Sequence, residues 1–229
     1  MKNDLAPLAV AFDVDETLVS TGGAGAKSWQ RAFDKLWSVD ADIGKFTESG
    51  MTDPEVGSLT FKGVMGREPM PRELAQLMQS YLQFLPEEVA SSTGYHVLPG
   101  AKDLLLRMIE AGIIVGITSG AVEAATHIKL ARAGLNPYFS FGGFGSDSID
   151  RGELTRMAIR RARVVIGSPL DPARVCVVGD TPTDIDAAHA AGAIGIGVAT
   201  GKYKVDELKR AGADHVLNSL TEAFPGFVA

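Results

Sequence analysis

One cysteine, Cys176, in a chain of 229 residues rules out an internal disulfide framework. It lies in an apolar strand pattern, Val175-Cys176-Val177-Val178, and reads as a small buried hydrophobe rather than a reactive thiol. No stretch approaches the roughly 20 apolar residues that a bilayer-spanning helix needs. Positive charge is also short: 22 Lys and Arg stand against 28 Asp and Glu, a formal net charge of −6. That balance argues against nucleic acid or an anionic membrane as the main partner, and leaves room for a local basic pocket. Asp4 and Pro7 precede the first apolar run and Asp13 follows it, which is not a signal-peptide layout, so the expected location is the cytoplasm. Internal repeats and low-complexity tracts are missing too. What remains is an ordinary globular composition, 45% hydrophobic and 22% charged, long enough for a real core with a smaller insertion.

The most informative stretch is Phe12-Asp13-Val14-Asp15-Glu16-Thr17-Leu18. It follows Leu8-Ala9-Val10-Ala11-Phe12, an apolar run that reads as a buried strand. Side chains alternate along a strand, so Asp13 and Asp15 point the same way at its carboxyl end. That end is where open α/β sheets bind ligands. A single Asp there would be an ordinary cap or turn residue. Two like charges so close call for a cation, a proton or a catalytic task.

Between about residues 20 and 95 the pattern is helical. A Gly-rich turn, Gly22-Gly23-Ala24-Gly25, precedes apolar positions Trp29, Phe33, Leu36 and Trp37 at helical spacing. Leu74, Leu77, Met78, Tyr81, Leu82 and Leu85 repeat that stripe, and Thr52-Asp53-Pro54-Glu55 reads as a helix start. Such stripes form cores far more often than ligand surfaces, so residues 20–95 read as a small helical insertion. From Pro99 the texture becomes alternation. Strands are expected at Ile113–Thr118, near Tyr138–Gly142, at Arg174–Val178, Ile194–Val198 and His215–Leu217. Helices are expected over Gly100–Ala111, Ala121–Ala133, Glu153–Ile166, Ile185–Ala191 and Val205–Ala211. This is the signature of an α/β fold, a parallel sheet covered on both faces.

Three further loops at strand ends carry polar residues. Thr118-Ser119-Gly120 sits before a helix, where a hydroxyl and backbone amides make either an anion site or a plain N-cap. Gly179-Asp180-Thr181-Pro182-Thr183-Asp184 follows a buried strand. Thr181 and Pro182 suit a helix start, whereas Asp180 adds a third carboxylate at the same sheet edge. Three carboxylates together call for a hard cation, and Mg²⁺ fits best. The last loop, Asp147 to Glu153, contributes Arg151 as a fixed cation.

In this order the motifs resemble the haloacid dehalogenase superfamily, in its phosphatase branch, phosphoglycolate phosphatase or beta-phosphoglucomutase-like, over essentially the whole chain. Asp13-Val14-Asp15-Glu16-Thr17 is similar to its first motif, Thr118 to its second, Arg151 to its basic third, and Gly179-Asp180 through Asp184 to its fourth; Lys129 and Arg156 are the alternatives for the third. Glu16 departs from the pattern, since many members carry Gly there. The resemblance implies a Rossmann-like core of residues 1–19 and 96–229, with a mobile cap over 20–95 inserted after the first strand.

The same resemblance implies a Mg²⁺-dependent phosphatase acting on a small phosphorylated metabolite, phosphoglycolate-like or a sugar phosphate. Asp13 would be the nucleophile that becomes an aspartyl-phosphate. Asp15 would be the acid and base, with Mg²⁺ on Asp13, the Asp15 carbonyl and Asp180. Thr118, Ser119, Gly120 and Arg151 would hold the phosphoryl group, Asp184 would orient the loop or the cation's surroundings, and Gly23, Lys27 and Thr52 of the cap would select the substrate. A phosphomutase on the same scaffold and a non-catalytic phosphometabolite-binding module remain as alternatives. The protein is expected to act as a monomer or homodimer.

Overall fold

A computed structural model describes residues 7–227, so Asp4 and the outermost ends of the expected core lie outside the described residues. The chain opens with β1 (Ala9–Phe12) and β2 (Val19–Ser20), then three helices, α1 (Ala24–Trp37), α2 (Asp53–Met65) and α3 (Pro71–Ser91), before β3 (His96–Val97). Alternation follows: α4 (Ala101–Glu110), β4 (Ile114–Ser119), α5 (Glu123–Ala131), β5 (Phe141–Phe144), α6 (Arg151–Ile166), β6 (Val175–Gly179), α7 (Pro182–Ala190), β7 (Ile194–Val198), α8 (Val205–Arg210) and β8 (His215–Leu217). Among the described residues no helix is long and apolar enough to cross a membrane.

Six strands form one parallel sheet in the order β5-β4-β1-β6-β7-β8. The expected α/β, Rossmann-like architecture is therefore the observed one. Period-two alternation serves two cores. Val10, Phe12, Val115, Ile117 and Val178 face α4 and the segment carrying Leu220 and Phe224. Ala9, Ala11, Val175 and Val177 face α6 and α7 through Ala158, Ile159 and Ala188. Phe12 and Ile117 are almost fully removed from water, each contributing about 1.5–3 kcal/mol.

From β1 the sheet grows through β4 to β5, then resumes on the other side of β1 at β6. That reversal opens a crevice at the carboxyl ends of β1 and β6. Register sets what lines it. Phe12 pairs with Ile117 on one side and Val178 on the other. The next residues along, Asp13, Thr118 and Gly179, therefore share one edge, with Asp180 following.

The helices between β2 and β3 bury their stripes in a separate apolar cluster built on Trp29, Phe33, Phe61, Leu77 and Tyr81. Trp29 and Tyr81 stack with ring centroids 4.1 Å apart. This cluster is not closed on itself, since it takes in Ala121, Val122 and Ala125 from the start of α5. The chain enters and leaves the insertion through a short antiparallel ladder, Val19 with Val97 and Ser20 with His96.

Several boundaries differ from the sequence expectation. The strand expected near Tyr138–Gly142 begins at Phe141, because Asn136–Tyr138, with Pro137 inside, forms a 3₁₀ turn first. α6 starts at Arg151, earlier than expected, because Asp150 caps it by accepting the Glu153 amide at 2.9 Å. α7 starts at Pro182, where Thr181 and Asp184 form a reciprocal capping box.

Candidate active site

Asp13 leaves β1 with its amide donated to the Val178 carbonyl at 2.8 Å, which carries the strand pairing one residue beyond β1. The chain then turns sharply. Glu16 takes a left-handed φ of 57°, and its carbonyl accepts the Thr200 hydroxyl at 2.6 Å. The turn sets Asp13 and Asp15 apart. Asp13 is buried against the sheet edge, while the Asp15 side chain keeps 42% of its exposure and pairs with Lys129 at 2.5 Å.

Asp13, Asp180 and Asp184 are buried, and their carboxylate oxygens converge within 4.8 Å of one another. Asp184 already has partners. One oxygen receives the Arg151 Nη2 donor, and the other accepts the Thr181 amide at 3.1 Å and hydroxyl at 2.7 Å. Arg151 Nη2 also lies 3.6 Å from Asp13 Oδ1. The Thr17 hydroxyl reaches Asp180 Oδ1 at a long 3.5 Å. Close backbone approach shapes its pocket: a Cβ on Gly201 would fall 1.8 Å from Asp180 Oδ2.

Electrostatics follow from this crowding. Burial, and then the charge of Asp184, hold the Asp13 carboxyl well above the usual carboxylate range against the opposing pull of Arg151. Asp180 is pushed up to about 8, by burial first and Asp184 second. Burial works against the charge on Arg151, yet Asp184 and Asp13 outweigh it and hold the guanidinium above its ordinary range. The edge thus carries more negative charge than its own guanidinium balances. Oxygen donors converging under that repulsion suit a hard divalent cation.

Two buried polar atoms beside this cluster have no partner, Thr118 Oγ1 and Arg151 Nε. Unpaired buried polar atoms are costly and uncommon, and their position marks where a ligand's oxygens would be received. The helix start after Thr118 is less open than the sequence suggests. The Ala121 amide goes to Ser119 Oγ at 3.2 Å, the Val122 amide to Asp53 Oδ2 at 2.9 Å, and the Glu123 amide to Ser146 Oγ at 3.2 Å. None of these three is left for an anion.

A cavity of about 230 Å³ joins Asp13, Asp15, Ser119, Gly120, Lys129, Arg151, Asp180 and Asp184 to Ser49, Gly50, Met51 and Asp53 of the helical insertion. A wider groove of about 600 Å³ continues from Gly50, Met51 and Arg151 toward Ile149 and Tyr203. The segment over the cavity is pressed down tightly. The Asp53 amide donates to the Gly120 carbonyl at 2.8 Å, and a Cβ on Gly120 would stand 2.6 Å from the Met51 carbonyl.

Of the residues selected by sequence, Asp13, Asp15, Ser119, Gly120, Arg151, Asp180 and Asp184 line this cavity, whereas Thr118 is buried next to Ser119 and is not among the lining residues. Gly23 and Lys27 are exposed at the start of α1 and do not line it. Thr52 is buried, but its hydroxyl and amide are spent on Glu55 in capping α2, at 2.8 and 3.0 Å. Arg156 is occupied by Glu153 and the Ala190 carbonyl. Ser49 and Lys202 line the cavity without any distinguishing sequence signal. Lys129 did carry one. It falls in step with Ala121 and Ala125 on the buried stripe of α5, where a lysine is out of place.

Comparisons with known proteins agree with this architecture. The family model for haloacid dehalogenase-like hydrolases matches residues 7–192. Phosphoglycolate phosphatase of Neisseria meningitidis is 28% identical over 222 residues, covering 94% of this chain and 92% of that protein. 2-Deoxyglucose-6-phosphate phosphatase 1 of Saccharomyces cerevisiae is 25% identical over 244 residues, covering 92% and 87%. The crystal structure of CbbY from Rhodobacter sphaeroides in complex with phosphate superimposes with a TM-score of 0.76 at 21% identity, over 94% of this chain and 96% of that one.

Proposed function

Because the chain belongs to the haloacid dehalogenase-like hydrolases, as one of their phosphatases, we propose that it hydrolyses a small phosphate monoester through an aspartyl-phosphate on Asp13. The convergence of Asp13, Arg151 and the orphaned Thr118 hydroxyl at one sheet edge carries this reading. Phosphoglycolate and sugar phosphates are the substrate kinds that its relatives' names support.

In the first half of the reaction an Asp13 oxygen attacks phosphorus and the bond to the leaving oxygen breaks. Asp15 gives that oxygen a proton. In the second half, water attacks the phosphoryl group, Asp15 takes its proton and Asp13 is released. Arg151 and Thr118 bear on the phosphoryl oxygens, where their fixed positions favour the spread of charge in the transition state. Mg²⁺ would be held by Asp13, Asp180 and the Asp15 carbonyl, with Asp184 fixing Arg151 and the loop. Bound there, it offsets the repulsion between an anionic nucleophile and an anionic substrate. The exposure of Asp15 supports hydrolysis over a mutase reaction, because water can reach it. Ser49, Gly50 and Met51 are the insertion's contribution to choosing the substrate, with residues 20–95 acting as a cap that closes over it.

The test is phosphate release from a panel of small phosphomonoesters, with and without Mg²⁺, for the wild type and Asp13→Asn. Metal-dependent release that disappears in the variant is the expected result. Release that survives in Asp13→Asn would remove Asp13 as nucleophile. Tight Mg²⁺ binding without any release would leave a binding module, and isomerised sugar phosphate formed on adding a bisphosphate would identify a mutase.

A further inference from the structure

Lys129 is a buried ammonium in the last turn of α5, on the stripe that faces the insertion. Taking such a charge out of water is costly, and only close partners offset it. Its partner is Asp15, whose Oδ2 receives the Nζ donor at 2.5 Å. The other groups facing it are Tyr81 of α3 and Asp53 at the start of α2, both from the insertion.

The lysine is also held from behind. The Tyr95 hydroxyl donates to the Lys129 carbonyl at 2.7 Å. One turn on, Arg132 Nη1 donates to the Val89 and Ser92 carbonyls at 2.5 and 2.8 Å, tying α5 to the end of α3. Asp15 itself is the half-exposed member of the pair, with a side chain 42% accessible. Without the lysine, nothing described in the structure would hold its carboxylate in one orientation.

We propose that Lys129 is a positioning residue for this reaction: it clamps Asp15 Oδ2 so that Oδ1 is presented to the leaving oxygen and to water. The inference rests on the phosphatase reading given above. Arg151 serves a different oxygen set, beside Asp13, so the two buried cations divide the site between the nucleophile and the proton-transfer group. Lys129 takes no part in bond making. It keeps its proton through both half-reactions, while the transferred proton shuttles between Asp15 and the reacting oxygens.

Leaving-group chemistry separates this role from simple packing. An alkyl phosphate needs a proton on its leaving oxygen, whereas p-nitrophenolate leaves without one. Lys129→Met should lower kcat/KM for an alkyl phosphate by about 10- to 100-fold and leave kcat/KM for p-nitrophenyl phosphate within about twofold. Lys129→Arg, which keeps a charge at the site, should recover part of the loss. In an Asp15→Asn background, Lys129→Met should cost nothing more, because its effect runs through Asp15.

Equal losses on both substrates, or a further loss in the Asp15→Asn background, would overturn the proposal and leave Lys129 a packing residue. Should Lys129→Met fail to fold, Lys129→Gln is read in the same way. The phosphatase reading fails by a different sign, namely wild-type protein that releases no phosphate from either substrate.

Discussion

Asp53 caps a helix to which it does not belong. Its Oδ2 accepts the amide of Val122, 2.9 Å away and 69 residues further along the chain. Asp53 opens α2 of the insertion, whereas Val122 stands at the head of α5 in the core. The contact ties the insertion to the core beside the cavity that Asp53 lines.

This relationship has a pH signature. Unfolded, the Asp53 carboxyl titrates near 3.8; in the fold, burial pushes it up to about 6, with Lys129 and the Val122 amide pulling the other way. A folded pKa above the unfolded one means that the fold binds the proton more tightly. The stability contributed by this group is therefore fully present below about pH 4 and is lost as pH rises through 6. The shift corresponds to about 3 kcal/mol. Asp53→Asn keeps an oxygen for the Val122 amide and carries no charge. Thermal melts should show the variant close to wild type at about pH 4 and several degrees more stable at about pH 8. A variant less stable at the higher pH would mean that the attraction to Lys129 outweighs burial.

Glu16 holds a conformation that glycine adopts more readily. A side chain at φ 57° costs about 1 kcal/mol or more, and the Thr200 hydroxyl on its carbonyl offsets part of this. Glu16→Gly should raise stability by about 0.5–1 kcal/mol, after allowing for glycine's greater freedom in the unfolded chain. In urea the midpoint should move up with an unchanged slope. It also removes one of the charges that raise the Asp180 carboxyl. A lower midpoint would show that the Glu16 side chain makes a contribution larger than the backbone strain.

Thr118 sets stability against activity. Its hydroxyl is buried without a partner, so Thr118→Val, of nearly the same shape, should stabilise the protein by about 1 kcal/mol. Phosphate release should fall by about 100-fold, as for the loss of one donor to a phosphoryl oxygen. Loss of stability in this variant would show that the hydroxyl is already satisfied in the resting protein.

What could be read in advance was whatever depends on local pattern. The runs around Phe12, Ile117 and Val178 announce buried strands, and carboxylates or hydroxyls at their ends stand out against apolar neighbours. Arg151 could be nominated because it follows a run of polar residues between β5 and α6, although it is itself the first residue of α6. Non-local pairings left no such trace. No local rule says that the amide of Val122 is taken by Asp53, or that the amides of Ala121 and Glu123 go to Ser119 and Ser146. A capping threonine and a substrate-facing one have the same sequence setting; the return of Glu55 to the Thr52 hydroxyl and amide is seen only in the structure. Lys129 shows the reverse case, a residue whose place on the apolar stripe was visible while its partner, 114 positions earlier, was not.

The ladder of Val19 with Val97 and Ser20 with His96 returns the chain to within one strand spacing of where it departed. To the sheet, the intervening helices are a detour with coincident ends. Lengthening, trimming or exchanging that detour leaves its two ends where they are, so the insertion can vary while the sheet edge that carries Asp13 stays in place. The freedom has a limit set by α5. Any replacement must bring an apolar surface for Ala121, Val122 and Ala125 and an acceptor for the Val122 amide. The residues around Gly50 and Met51 line the cavity, and their close approach to Thr183 and Gly120 limits how far they can change.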